Sequence, residues 1–195
     1  MAQAIASFFA IIDPVGCILI FHLFTRGLTY RQKVISAVVA VAAAFFMLLG
    51  FSLGGQGVLE FLGISPESFQ VAAGLLLLPP AYRLVMEGQP APEQAETPND
   101  PLDFALVPLA TPLIAGPGAL AATTSFTQDA GEATTIAAFS IVLLITLLSF
   151  LSADLLFRLA GAPLLRVLAR IVGIVLFAIA VDFVLDGAKA FVEAA

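Results

Sequence analysis

Cysteine and histidine are almost missing from this chain. The single cysteine, Cys17, excludes an intramolecular disulfide, and with one histidine, His22, no metal site of the Cys/His type can be assembled. Charge is nearly as scarce. Of 195 residues 11% are charged against 61% hydrophobic, Trp is absent, and the mean hydropathy is +1.07. No water-soluble globular domain of this size tolerates that balance, so the chain is expected to lie in a membrane. Short dyad-alternating segments, the mark of a membrane β-barrel, are lacking too. The first apolar run has neither a basic leader nor a small-residue cleavage site and is read as a retained helix rather than a signal peptide.

What is present is six continuous apolar runs. They lie near residues 2 to 24, 34 to 54, 66 to 86, 103 to 127, 134 to 157 and 164 to 188. Each approaches or exceeds the roughly 20 residues that a helix needs to cross about 30 Å of hydrocarbon. Basic residues fix the expected orientation, because positively charged loops stay in the cytoplasm. Arg26, Arg31 and Lys33 follow span 1, Arg83 ends span 3, and Arg158, Arg166 and Arg170 surround the turn between spans 5 and 6. Only Lys189 falls on the other side. Both termini are therefore expected outside, in a multi-pass protein of a bacterial or archaeal inner membrane.

Residues 89–102 are expected to form a flexible cytoplasmic linker: the stretch "EGQPAPEQAETPND" carries three prolines and four acids without a large apolar side chain. It separates residues 1–88 (spans 1 to 3) from residues 103–195 (spans 4 to 6). The two halves resemble each other. "GLLLLPPAYRLVMEG" (74 to 88) and "GIVLFAIAVDFVLDG" (173 to 187) share five identities in fifteen at a constant offset. Three spans per half is an odd number, so the second half must enter the membrane upside down. Inversion puts Arg83 near the inner face and Asp182 near the outer one, and the two are not expected to pair.

Spans 1 and 4 carry Pro/Gly interruptions at matching places, "DPVG" at 13 to 16 and "TPLIAGPG" at 111 to 118. Pro14 has no N–H and its ring crowds the carbonyl of Ala10, while Gly16 permits non-helical backbone. Pro108, Pro112 and Pro117, beside Gly116 and Gly118, repeat the arrangement. Unpaired peptide groups facing lipid cost several kcal/mol, so both breaks must line a shared wet cavity. Paired interrupted helices in an inverted repeat are the strongest sequence pointer to a transporter site. Freed N–H groups at a half-helix N-terminus would hold a carboxylate; freed carbonyls and Asp13 would hold an ammonium or a coupling cation. Asp13, at the centre of its span, is the expected carrier of a coupling H⁺ or Na⁺.

Other features carry bland readings. Thr111, Thr123 and Thr124 are expected to satisfy carbonyls one turn back, Gly50 and Gly54 form a GxxxG compatible with helix packing or a homo-oligomer, and Cys17 and His22 are read as a packed pair.

At "DPVG", "FLGISPESFQVAAGLLL" (61 to 77), "FALVPLATPLIAGPGAL" (104 to 120) and "LARIVGIVLFAIAVDFVLDG" (168 to 187), the chain resembles the MarC family of integral membrane proteins, also catalogued as UPF0056. The resemblance covers essentially the whole chain. By position, the family's span 1 break falls on Asp13, Pro14 and Gly16, and its span 4 break on Pro112, Gly116, Pro117 and Gly118. The chain departs from the family at Gln70 and Ala73, and at Pro79 and Pro80, where an extra kink is expected. Some relatives are described as transporters of small neutral amino acids, and this is the function the resemblance implies.

The fold class expected is thus an all-α polytopic membrane protein, six transmembrane helices in two inverted three-helix repeats, with spans 1 and 4 broken at mid-membrane. The function expected is secondary transport of small neutral amino acids at a site formed by Asp13, Pro14, Gly16, Thr111, Pro112, Gly116, Pro117 and Gly118. The alternatives are a passive channel or exporter for other small solutes and a structural or regulatory membrane role. Enzymatic activity is not expected, since intramembrane hydrolysis needs a paired nucleophile and base, two aspartates or a metal. No cofactor and no nucleic-acid partner are expected; the partners are a small-molecule substrate and the bilayer.

Overall fold

The computed structural model describes residues 1–88 and 101–194. The predicted linker falls almost wholly on 89–100, outside the described residues. All regular structure among the described residues is helical: α1 Ala2–Ile12, α2 Pro14–Thr25, α3 Tyr30–Phe61, α4 Pro66–Glu87, α5 Pro101–Phe104, a wide-turned π segment Ala105–Ile114, α6 Pro117–Ala130, α7 Glu132–Leu151 and α8 Ala153–Ala194. Five stretches are long and apolar enough to cross a membrane, and the pair Leu102–Ile114 and Pro117–Ala130, bent by 52°, makes a sixth if it counts as one.

Local chemistry sets the ends. Thr29 and Gln32 form a capping box that starts α3, with the Thr29 N–H donating to Gln32 Oε1 at 2.9 Å. Ser65 caps α4 ahead of Pro66, which sits at a position where no backbone donor is needed. Gly88 closes α4 at φ 69°, a left-handed conformation that glycine adopts without steric cost.

Helix α4 runs continuously from Pro66 to Glu87 with Pro79 and Pro80 inside it. One expectation needs correction: span 5 does not continue to residue 157. Helix α7 ends at Leu151, where Ser152 leaves helical geometry, and Ala153 opens a new helix that is itself kinked at Gly161 (φ 70°).

α4 and α8 form the closest helix pair, and their contacts are built on glycines. A Cβ at Gly74 would lie 2.7 Å from the Ala180 carbonyl oxygen and crowd Phe183 and Val184; one at Gly173 would lie 2.6 Å from the Leu84 Cβ and crowd Val85. Toward the ends, Gly88 abuts Arg166 and Gly187 abuts Glu67. Residue numbers rise on one helix as they fall on the other, so the pair is antiparallel. Adding 99 to Gly74, Leu84, Val85, Gly88 and Glu67 gives Gly173, Phe183, Val184, Gly187 and Arg166, so each contact maps onto its counterpart under the offset that aligns the two halves.

Alanine at Gly74 or at Gly173 is therefore expected to destabilise the protein to a similar degree, about 1–3 kcal/mol each, because rigid backbone cannot move aside. Alanine at Gly50 or Gly54, where a Cβ meets nothing within 4 Å, should cost nothing. Thermal unfolding of the four variants checks both statements. The open space around Gly50 and Gly54 also shows that this pair packs against no helix among the described residues.

Candidate binding site

The first interruption is built by one residue. Asp13 has φ 48° and ψ 68°, the one non-glycine residue in the left-handed region among those described. Asp and Asn are the side chains that most readily accept this conformation. Its N–H donates to the Phe9 carbonyl at 3.0 Å and closes α1, and its carbonyl accepts from the Cys17 N–H at 2.9 Å. Its Oδ1 accepts from the Gly16 N–H at 2.9 Å and caps α2. Pro14 follows as the first residue of α2. It therefore starts a helix instead of kinking one, since α1 has already ended at Ile12.

The second interruption is broader than its prolines suggest. Within the π segment Val107 and Thr111 are extended (φ −136° for both), each followed by a cis proline. Ala115 (φ −98°, ψ 59°) and Gly116 (φ −83°, ψ 175°) then turn the chain into α6. Pro117 has no N–H and the cap residue Gly116 has no side chain, so no side chain caps the N–H groups of Gly118 and Ala119. Gly118 lies against Leu77 so closely that a Cβ would fall into the leucine side chain.

Between these interruptions and α4 lies a cavity of about 400 Å³. Of the residues expected from sequence, Asp13, Pro112, Gly116, Pro117 and Gly118 line it. Pro14, Gly16 and Thr111 do not, although Gly16 holds the Asp13 carboxyl. Sequence reasoning missed Cys17, Ile20, Leu77, Pro80, Leu84 and Leu176, which form much of the wall. The paired prolines of α4 were the available signal: Pro80 has no N–H to offer the Leu76 carbonyl, and both residues border the cavity.

The walls are apolar with one exception. Asp13 is 5% exposed, and its Oδ2 is the only buried side-chain nitrogen or oxygen among the described residues that lacks a hydrogen-bond partner. Such an orphan acceptor costs about 1–3 kcal/mol and more if charged, so it is expected to meet a donor or a cation. The uncapped N-terminus of α6, through Gly118 and Ala119, also borders the cavity and offers the partial positive charge that suits an anion. The cavity is thus bordered by one carboxyl and one helix N-terminus among aliphatic side chains, a set suited to a small molecule bearing both an amino and a carboxyl group.

Other polar groups are engaged elsewhere. The Cys17 thiol donates to the Ile12 carbonyl at 3.2 Å. His22 instead stacks on Phe157, ring centroids 3.9 Å apart, with Nδ1 3.1 Å from Asp154 Oδ1, while Lys33 donates to Asp154 Oδ2 at 2.7 Å. The expected pairing of Cys17 with His22 is therefore replaced by two separate environments. Thr123 and Thr124 donate to the carbonyls of Ala119 and Ala121, both at 2.8 Å, as read from sequence, whereas Thr111, in extended backbone, has no carbonyl one helical turn back to meet. Asp182 is exposed on α8, away from the cavity, and makes no ion pair with Arg83.

The family model described as "MarC family integral membrane protein" matches residues 1–192. The chain is 34% identical over 193 residues to the UPF0056 membrane protein MJ1677 of Methanocaldococcus jannaschii, covering 95% of this chain and 94% of that one. It is 33% identical to a UPF0056 membrane protein of Archaeoglobus fulgidus (92% and 87% covered) and 27% identical to UPF0056 membrane protein YvbG of Bacillus subtilis (94% and 91%). No solved structure matches.

Proposed function

The chain belongs to the MarC family of integral membrane proteins, and from that premise we propose that it is a secondary transporter of small neutral amino acids with its site in the cavity between the two interruptions. The observation that carries this reading is the Asp13 carboxyl, one oxygen of which has no partner, bordering a cavity that also borders the N-terminus of α6. The substrate amino group sits on Asp13, its carboxylate on the Gly118 and Ala119 end of α6, and Asp13 carries the coupling H⁺ or Na⁺. No catalytic role is part of this reading.

In the same proposal the two halves are inverted repeats and both interruptions lie at mid-membrane. The exchange of α4–α8 contacts under a single offset supports the first point, and the placement of Asp13 halfway along Ala2–Thr25 supports the second. The basic residues after α2, at the end of α4 and around the α7–α8 corner support cytoplasmic loops on that side, with both termini outside.

Direct binding of radiolabelled alanine to the purified protein tests the site. Saturable binding competed by glycine is expected. Filling the cavity with Leu84→Trp should remove it without unfolding the helices, and full binding by a folded Leu84→Trp protein would place the substrate elsewhere.

A further inference from the structure

The cavity opens sideways. Among its lining residues Asp13, Cys17, Ile20, Leu84 and Leu176 are buried, whereas Leu76 is 59% exposed, Pro112 is exposed, and Pro80 and Pro108 are half-buried. The exposed members belong to α4 and the π segment, so the mouth lies between those two elements. Leu76 is at the midpoint of α4, and Pro112 is three residues before Ala115, near the middle of the bent pair. Beside the mouth residues in the chain, Leu75, Leu106 and Val107 are 53%, 46% and 62% exposed. At half the height of two membrane spans, such a surface faces hydrocarbon rather than water.

We propose that this mouth is a port through which aliphatic primary amines dissolved in the bilayer enter the cavity, as a class of ligand additional to the amino acids. The nitrogen sits on the Asp13 carboxyl, which borders the cavity and whose Oδ2 has no partner, and the alkyl chain lies against Leu77 and Leu84 and points toward Leu76 and Pro112. One proton shared between the amine nitrogen and the carboxyl leaves the pair net neutral, so no uncompensated charge is buried. A fatty acid of equal length brings a second carboxyl to the floor instead, and an alcohol brings one weaker donor. The inference rests on the shape and polarity of the cavity and stands independently of amino acid transport.

Two measurements on the full chain in lipid nanodiscs test it. The protein has no Trp, so Leu76→Trp supplies a sole fluorophore at the rim. In bilayers of lipid brominated at mid-chain its emission should be largely quenched. Unquenched emission would mean that water, or a second copy of the chain, covers the mouth, and would overturn the bilayer route. The second measurement is the unfolding midpoint with n-hexylamine, hexanol or hexanoate. A rise of several degrees with the amine that exceeds the effect of either control, and that disappears in Asp13→Asn, is expected. No rise, an equal rise with hexanoate, or an equal rise in Asp13→Asn would overturn the assignment of Asp13 as the amine acceptor.

Discussion

Gly16→Ala is expected to lower stability by about 1–3 kcal/mol and to abolish amino acid uptake together. An alanine Cβ at this position would fall on Asp13 Oδ2 and lie 2.9 Å from Asp13 Cγ. The carboxyl could escape only by rotating off the Gly16 N–H, to which its Oδ1 is bonded at 2.9 Å. That rotation removes the cap of α2, a loss of about 1 kcal/mol, and moves the carboxyl from its place at the cavity wall. One methyl group thus damages fold and site through a single movement. Thermal unfolding and uptake measured on the same preparation check the pair of effects, and a Gly16→Ala protein that kept wild-type uptake would show that the position of the carboxyl does not matter.

The larger effect on function with the smaller effect on fold is expected from Asp13→Asn. Asparagine tolerates the left-handed backbone and can accept the Gly16 N–H bond, so the turn between α1 and α2 should survive. The amide supplies neither a negative charge nor an exchangeable carboxyl proton, so a substrate amino group or coupling ion loses its partner at Oδ2. Uptake should fall to background while the unfolding midpoint stays near that of wild type. Asp13→Ala should fail on both counts, since a left-handed alanine costs roughly 1–2 kcal/mol and leaves α2 uncapped. The contrast between the two substitutions separates chemistry from architecture.

Much of this arrangement could be read from the chain because hydrocarbon leaves few options. Backbone that crosses it must be helical or line a cavity, so the long apolar runs pointed to the five stretches, or six with the bent pair taken as one, that are long and apolar enough to cross a membrane, and the Asp-Pro and Gly-Pro-Gly signatures fell where one helix ends and the next begins, at Asp13 and at Gly116. The offset between the halves even anticipated which glycines of α4 and α8 would correspond. The remainder of the cavity was hidden for a physical reason: Leu77, Leu84 and Leu176 face a cavity, yet an apolar side chain facing a cavity and one facing lipid carry the same sequence signal. His22 and Asp154 are separated by 132 positions, and no local pattern predicts such a meeting.

Uptake of radiolabelled alanine into proteoliposomes, driven by an imposed proton or sodium gradient and compared between wild type and Asp13→Asn, tests the proposed transport most directly. Saturable uptake that follows one of the gradients and is lost in a folded Asp13→Asn protein is the predicted result. Equal uptake by the two proteins, or none under either gradient from a folded wild-type protein, would contradict it.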